Sequence, residues 1–206
     1  MNFATSFARA IVPAALVATI SAAAPAATSG DLKAVEASLA ATQSMTANFV
    51  QTNGKGQQLS GTLSLKRPGK IRFAYGGGVN ALLVADGKTL HYLDYDVAQH
   101  SKWAIARSPL AVLLSPNPDL GRIARILPSD NANVVVVRAR DARRPEFGTL
   151  VLAFTRGGAP GGLRLEGWTA IDAQNKRTTV RLTNQRFNVA VPDSAFSFTE
   201  PKRKKA

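Results

Sequence analysis

The stretch GTLSLKRPGKIRFAY, residues 61–75, constrains the fold most, because its residues alternate in character with a period of two. One set of alternate positions is apolar and comprises Leu63, Leu65, Ile71, Phe73 and Tyr75, whereas the other is polar or basic and comprises Thr62, Ser64, Lys66, Lys70 and Arg72. This pattern predicts β-strands that bury one face and expose the other to water. Arg67 falls in the apolar set, so the pattern points a cation toward the interior.

An arginine that faces the interior must find oxygen atoms, because guanidinium has five donors and keeps its charge. The carbonyls at the C-terminal end of a helix lack partners within the helix and are suitable acceptors. The alternative is a β-bulge at Pro68-Gly69 that turns Arg67 to solvent. The residues alone leave both readings open.

The remainder of the chain predicts strands between two helical regions. Leu32, Val35 and Leu39 have helical spacing and predict a short helix over 31–41. Asp86-Gly87-Lys88 lies between two apolar runs and predicts a hairpin. Further strands are predicted after Pro128, over residues 133–138, 149–155, 163–171 and 177–184, and Phe196 and Phe198 alternate near the end.

The middle of the chain changes period. Ser108-Pro109 is typical of a helix start, with a hydroxyl cap followed by proline in the first turn. Leu110, Leu113 and Leu114 then share one helical face, and apolar residues over 120–127 predict a second helical piece. These elements predict an α+β protein, an antiparallel half-barrel in meander order whose inner face the helices either fill or roof.

The first 27 residues resemble a secretory signal peptide. A single basic residue, Arg9, precedes an apolar run from Ala10 to Ala24, and small residues follow. We expect cleavage after Ala24 or Ala27, an exported product without a membrane anchor, one domain over residues 28–201 and a basic tail over 202–206.

The chain contains no cysteine and has a formal charge of +13. The lack of cysteine excludes disulfides and thiolate metal sites. The charge predicts an acidic partner, such as an anionic membrane surface or an acidic protein, although it also serves solubility. No basic helix or aromatic-basic RNA motif is present, so we expect no nucleic-acid partner.

No pattern in the sequence supports catalysis or a cofactor. His91 and His100 are the two histidines, and neither has further metal ligands at suitable spacing. The chain lacks a nucleophile elbow, a P-loop and a dinucleotide-binding motif. We therefore expect neither an enzyme nor a metalloprotein.

Five stretches together resemble the periplasmic outer-membrane lipoprotein carrier family of LolA type. They are MTANFVQT, SGTLSLKRPGKIRFAY, LLVADGKTLHYLDYD, SPLAVLL and FSFTEP, which occur in the family's order. The resemblance implies a periplasmic chaperone, an incomplete β-barrel whose apolar cavity holds lipoprotein acyl chains beneath a helical lid. It also implies delivery from an inner-membrane ABC transporter to an outer-membrane receptor lipoprotein, transient contact with the membrane surface and a monomer.

The resemblance assigns roles to particular residues. Arg67 matches the family's lid latch, the arginine that bonds to the lid when the cavity is empty. The strand and helix positions with apolar side chains become the expected acyl-chain cavity, namely Phe49, Leu63, Leu65, Ile71, Phe73, Tyr75, Leu110, Leu113 and Leu114. The alternative for each of them is ordinary core.

Two further functional alternatives remain open in the sequence. The same fold can carry a free lipid or glycolipid, or can serve as a sensor or anchor domain for an acidic protein. The chain also departs from the family pattern, because Leu110 stands where phenylalanine is frequent and a basic tail replaces a further C-terminal strand.

Overall fold

Eleven strands lie within residues 29–202, the part of the chain that this computed structural model describes, and they pair into one antiparallel sheet. The strands are β1 (Ser44–Asn53), β2 (Gln58–Lys66), β3 (Lys70–Tyr75), β4 (Ala81–Asp86), β5 (Thr89–Asp94), β6 (Gln99–Ala104), β7 (Ala124–Leu127), β8 (Val134–Ala139), β9 (Thr149–Arg156), β10 (Leu163–Ile171) and β11 (Arg177–Phe187). The expected signal peptide and residues 203–206 of the tail lie outside the described residues.

The strand order is β6-β5-β4-β3-β2-β1-β11-β10-β9-β8-β7. The chain therefore builds one half of the sheet from the centre outward, crosses from edge strand β6 to the opposite edge strand β7, and returns to the centre. Strand β11 pairs with β1 at the centre of the sheet, with Met45 opposite Phe187, and so joins the two halves. We call residues 105–123, which join the two edges, the crossing segment.

The predicted class, an antiparallel sheet with few helices, is confirmed, but the sheet is larger than the half-barrel that we predicted. Strands β6 and β7 are its edges, and they do not pair with each other in the described chain. The hairpin at Asp86-Gly87-Lys88 is also confirmed. Gly87 has φ +115°, a backbone conformation that favours glycine, and the Asp86 carboxylate accepts the N–H groups of Lys88 and Thr89.

Two α-helices flank this sheet in the described residues. Helix α1 (Ser29–Ala41) confirms the N-terminal prediction and begins two residues earlier than expected, with Val35 and Leu39 buried. Helix α2 (Ala111–Leu114) is a single turn within the crossing segment. Ser108 does not cap it, because the Ser108 hydroxyl donates to the Ile105 carbonyl and closes the preceding 3-10 turn.

The second mid-chain helix that we predicted is wrong. Residues 124–127 form strand β7, which pairs with β8. Its short apolar run, Ile126 and Leu127, fits either a helix or a strand, and cross-strand pairing with Val136 and Val137 decides for the strand.

The sheet has two differently covered faces. The inner face contributes to the main apolar core, together with α1 and the crossing segment. On the outer face, Leu82, Val84 and Leu93 form a second core with Val191 and Phe196 from the C-terminal segment. We call residues 189–200 the C-terminal strap.

The strap corrects two expectations. The polar face of residues 61–75 was predicted to lie in water, but Lys66, Lys70 and Arg72 bind the strap there. Phe196 ends a 3-10 turn, Asp193–Phe196, and Phe198 follows in irregular chain that pairs with no strand. The segment therefore closes the outer face through side chains and does not extend the sheet.

Candidate functional site

Strand register places the apolar side chains of residues 61–75 in continuous rows across the inner face. Leu63 lies opposite Phe73, Phe73 opposite Leu83, and Leu83 opposite Tyr92. A parallel row runs from Leu65 through Ile71, Ala85 and Leu90 to Trp103 at the edge. Burial decreases toward the β6 edge, where Trp103 is 51% exposed.

Aromatic rings occupy the centre of the inner face. The rings of Phe49 and Phe73 meet edge to face with centroids 5.0 Å apart, and Phe49 meets Tyr75 at 5.4 Å. Phe73 also meets Trp168 from β10 at 6.0 Å, so aromatic contacts join the two halves of the sheet. Burial raises the pKa of Tyr75 to about 12, and its hydroxyl donates to the Gln51 side chain, so Tyr75 is a neutral donor.

The crossing segment covers this face. Its buried leucines belong to the same apolar core as the rows described above, and they are Leu110, Leu113, Leu114 and Leu120. Between them the backbone makes only one turn of α-helix, with Ser115 N–H bonded to the Ala111 carbonyl. Such a short helix has little stability of its own, so the leucines and the contacts at its C-terminal end hold the segment in place.

The turn between β2 and β3 supplies those contacts. The Nη2 atom of Arg67 donates to the Leu113 carbonyl at 2.8 Å, and the Gly69 N–H donates to the Leu114 carbonyl at 3.0 Å. These are carbonyls at the C-terminal end of α2, which the helix leaves unpaired. The Nη1 atom of Arg67 donates to the Thr42 carbonyl just after α1. One turn thus binds both helical regions.

Glycine is required at position 69 for this geometry. Gly69 has φ +74°, and a Cβ atom there would lie 2.6 Å from the Gly87 carbonyl oxygen. The close approach brings the β2–β3 and β4–β5 turns together and aims the Gly69 N–H at α2. A side chain at position 69 would therefore displace the turn that carries Arg67.

Arg67 is only 6% exposed and has no ion pair with a described carboxylate. Its Nε atom is buried and has no hydrogen-bond partner among the described residues. Burial lowers the pKa of Arg67 to about 10, so the group remains a cation at neutral pH. Burying a cation that has only carbonyl partners and one unpaired N–H costs free energy. Arg67 can therefore leave these carbonyls when better polar partners are present.

The interior beside Arg67 is almost filled. A cavity of about 10 Å³ lies among Arg67, Leu65, Leu113 and residues of α1, β9 and β10. That volume is close to the minimum that holds one water molecule. With the crossing segment in this position, the cavity beside Arg67 is too small for an acyl chain.

The structure brings all the expected cavity residues together. Eight of them are buried in one apolar core, and Tyr75 packs half-buried against it. Arg67 points to the same interior, and the bulge alternative, in which Arg67 faces solvent, is wrong. The side chains are packed core in this conformation, and their role in holding a ligand stays a prediction.

Sequence reasoning missed the side chains that the second half of the sheet contributes. Leu152, Phe154, Trp168 and Leu182 are buried in the same core. The alternation over 149–155 is a signal that could have identified Leu152 and Phe154. A register shift between Leu165 and Gly167 puts Trp168 out of phase with Leu163 and Leu165, so simple alternation does not identify it. Which of the two faces they share with Phe73 depends on the β1–β11 pairing, which local pattern does not reveal.

Two kinds of feature are absent from residues 29–202. No group of three or more histidine, acidic or cysteine side chains could hold a metal ion in that range. The same range has no helix with the length and apolarity needed to span a membrane.

Comparison with known proteins places the same stretch of chain in one group. The family model described as outer membrane lipoprotein carrier protein LolA matches residues 40–199. A relative from Chromobacterium violaceum, named outer-membrane lipoprotein carrier protein, is 29% identical over 201 residues and covers 93% of both chains. A relative of the same name from Dechloromonas aromatica is 31% identical over 169 residues, covering 78% of this chain and 79% of its own.

Among solved structures, a LolA superfamily protein from Nitrosomonas europaea aligns with a TM-score of 0.49 and 10% identity. The alignment covers 84% of this chain and 99% of the other.

Proposed function

The chain belongs to the outer-membrane lipoprotein carrier family, and on that basis we propose that it carries outer-membrane lipoproteins by enclosing their acyl chains between the sheet and the crossing segment. In this proposal the crossing segment is a lid. The inner-face residues Phe49, Leu63, Leu65, Ile71, Phe73 and Tyr75, with Leu110, Leu113 and Leu114 of the lid, become the cavity lining when the lid moves away.

The observation that carries the proposal is the way in which α2 is held. Arg67 and Gly69 bind the last two carbonyls of a one-turn helix whose other attachments are apolar. An acyl chain can replace the apolar contacts of this helix without a loss of buried apolar surface. Leucines that merely pack on a sheet face do not require an arginine to hold them. A buried cation that bonds to the last turn of this short helix therefore supports a lid latch over ordinary core.

The energies allow reversible opening. A hydrogen bond to a charged group contributes about 1.5–3 kcal/mol, so releasing Arg67 from Leu113 costs little. Burying an acyl chain contributes roughly 0.8 kcal/mol for each CH₂ group. Several methylenes offset the latch, and the latch still favours closure once the acyl chain has a better site elsewhere.

The same proposal includes the route. The chain acts in the periplasm after residues 1–27 are removed, receives cargo from an inner-membrane ABC transporter and delivers it to an outer-membrane receptor lipoprotein. It acts as a monomer, as a chaperone without catalysis, and touches membrane surfaces transiently. The formal charge of +13 for the full chain, or +12 without Arg9, supports contact with acidic partners.

The test is a reconstituted transfer. Inner-membrane vesicles that contain the ABC transporter and a labelled outer-membrane lipoprotein receive the purified mature protein. We expect a soluble one-to-one complex of carrier and lipoprotein. Arg67→Leu should form this complex and then fail to release the lipoprotein to outer membranes, because closure no longer favours expulsion.

Arg177→Leu is the matched control, since it makes the same substitution at an exposed position of β11. If the wild type releases no lipoprotein, the transport proposal is wrong, and extraction of bound lipid from the purified protein tests the free-lipid alternative. Normal delivery by Arg67→Leu would contradict the latch role alone.

A further inference from the structure

The C-terminal strap, residues 189–200, is held on the outer face of the sheet, away from the lid. Phe196 enters the second core with Leu82, Val84 and Leu93. This core is small, so polar contacts along the strap must supply much of its attachment. Those contacts lie at both ends of the strap and differ in chemistry.

The first end is held by ordinary ion pairs. The Asp193 carboxylate accepts hydrogen bonds from Lys66 at 2.8 Å and from Lys70 at 2.9 Å. Farther along, Arg72 donates to the Ser197 carbonyl at 3.0 Å. Carboxylate, lysine and arginine side chains ordinarily titrate outside the range from about pH 5 to pH 9.

The far end of the strap is held by histidines. Nε2 of His91 lies 3.2 Å from the Asp86 carboxylate, and Nδ1 of His91 lies 2.9 Å from Nε2 of His100. Nδ1 of His100 then lies 2.9 Å from the carboxylate of Glu200, on the strap. The ring of Phe198 covers both imidazoles, with centroids 4.7 Å from His91 and 5.6 Å from His100.

The three consecutive hydrogen bonds that join Asp86, His91, His100 and Glu200 determine how many protons the two imidazoles carry. An ionised carboxylate accepts only, so the ring nitrogens facing Asp86 and Glu200 must each carry a proton. The bond between His91 and His100 needs one further proton, on one of its two nitrogens. The complete network therefore holds three protons on four ring nitrogens, one more than two neutral imidazoles hold.

We infer that this network is a proton-dependent clasp, which holds the strap on the sheet only while His91 and His100 share one extra proton. Loss of that proton leaves a lone pair facing a carboxylate or another lone pair. A fourth proton sets two N–H groups against each other. The clasp thus opens on both sides of an optimum pH, independently of what the inner face binds.

The neighbouring charges do not supply another switch. Burial would raise the pKa of Asp86, but hydrogen bonds from Thr89, Lys88 and His91 together lower it below the ordinary value, so Asp86 stays ionised. Lys102 lies opposite His91 on β6, and Lys70 lies opposite Asp86 on β3. Lysine ordinarily titrates well above neutral pH.

The remaining polar neighbours belong to the strap contacts. Arg72 donates to the Ala195 and Ser197 carbonyls, and the Tyr95 hydroxyl donates to the Thr199 carbonyl at 3.1 Å. Neither contact contains a group that titrates with imidazole. Among the described residues near the strap, the two histidines are thus the residue type whose ordinary titration falls around neutral pH.

The proton count sets the sign and the position of the pH effect. A solvated histidine is half protonated at about pH 6.5, so a released pair of them holds one extra proton on average at that pH. The docked pair also holds one, and docking is therefore strongest there. The docking constant falls about threefold one pH unit away on either side, and up to about 25-fold at pH 8.5.

Hydrogen exchange of the mature protein tests this dependence. Amide protection of peptides from residues 189–200, normalised to the intrinsic exchange rate at each pH, is measured by mass spectrometry from pH 5.5 to pH 8.5. We expect a maximum near pH 6.5 in the strap and none in peptides of β1. Flat protection of the strap over this range would overturn the inference.

Glu200→Gln separates the clasp from a purely structural contact. An amide can donate to His100 Nδ1, so two neutral imidazoles then complete all three bonds. We expect protection at pH 8.5 to rise to at least its value at pH 6.5, while the loss below pH 6.5 remains. A variant that retains the alkaline loss would contradict the proton count.

Asp193→Asn is the matched control at the other end of the strap. It should lower protection at every pH and leave the shape of the profile unchanged, because the lysines and the strap backbone do not titrate in this range. His100→Gln should remove the maximum altogether. A maximum that persists in His100→Gln would assign the pH effect to other groups and overturn the clasp.

Discussion

The Nη2 atom of Arg67 lies 2.8 Å from the main-chain oxygen of Leu113, although the two residues belong to elements that no strand pairing joins. The same guanidinium donates to Thr42 beside α1. A single side chain thus connects the sheet, the N-terminal helix and the crossing segment. Replacing Arg67 should therefore change the position of the crossing segment more than it changes the structure of the sheet.

Replacing Arg67 with leucine should favour the open position of the crossing segment. Loss of one hydrogen bond to a charged group, about 1.5–3 kcal/mol, raises the open-to-closed ratio about 10- to 100-fold. The two tryptophans allow this to be measured, because Trp168 is 4% exposed and Trp103 is 51% exposed. In a Trp103→Phe background, acrylamide should quench Trp168 more strongly after Arg67→Leu.

The control for this experiment is Arg177→Leu in the same background, which should leave Trp168 quenching unchanged. Equal quenching in the Arg67 and Arg177 variants would show that the guanidinium does not hold the crossing segment. Loss of the far-ultraviolet strand signal would instead indicate unfolding and would be recognised separately.

Gly69→Ala should destabilise the protein more than Gly77→Ala. Both glycines have positive φ, +74° and +66°, so both substitutions add strain of about 1–2 kcal/mol. Only position 69 adds a clash, since its Cβ would lie 2.6 Å from the Gly87 oxygen, whereas the Cβ at position 77 meets nothing within 4 Å. Urea unfolding measures the difference, and equal losses would contradict the close approach of the two turns.

Phe73→Ala should lower the free energy of unfolding by about 3–5 kcal/mol and create an apolar void. Phe73 is 2% exposed and meets both Phe49 and Trp168. The void should bind small apolar ligands, which calorimetry detects. Phe147→Ala, at a half-buried ring in a surface turn, should cost far less and bind none.

Asp193→Asn should remove an acid-dependent part of the stability. Hydrogen bonds and charge from Lys66 and Lys70 lower the pKa of Asp193 to about 2. A carboxylate with a lowered pKa stabilises the fold above the unfolded value of about 4, and that contribution disappears as the pH falls through about 2. The unfolding temperatures of variant and wild type should converge between these pH values.

The exposed Asp130 supplies a comparison, because it has no ion pair among the described residues. Asp130→Asn should have an unfolding temperature close to that of the wild type at every pH measured. A difference that persists below pH 2 for Asp193→Asn would assign its effect to something other than charge.

The sequence predicts most strands of this fold because alternation is a local property. The inner face of Leu63, Leu65, Ile71 and Phe73 follows directly from it, whereas the direction of Arg67 stayed open between the interior and a solvent-facing bulge. It does not predict the acceptors of Arg67, because Thr42 and Leu113 approach through the packing of separate elements.

The prediction that the outer face lies in water was wrong because the strap that covers it is distant in sequence. Leu82, Val84 and Leu93 need the distant strap to be buried, and nothing near them in sequence indicates it. The histidine pair is a further example, since His91 and His100 become neighbours only through the β5–β6 pairing and meet Glu200 from the other end of the chain.

The pairing of β1 with β11, which joins the two halves of the sheet, determines the sequence in which the strands can pair during folding. Nine of the ten strand pairings join neighbours in sequence and can form as local hairpins while the chain emerges. The tenth brings Met45 to Phe187 and must wait until nearly the whole chain is present, at the largest loop-closure entropy in the sheet. We therefore expect two independent meanders to form first, and their joining along β1 and β11 to be the late, slow step.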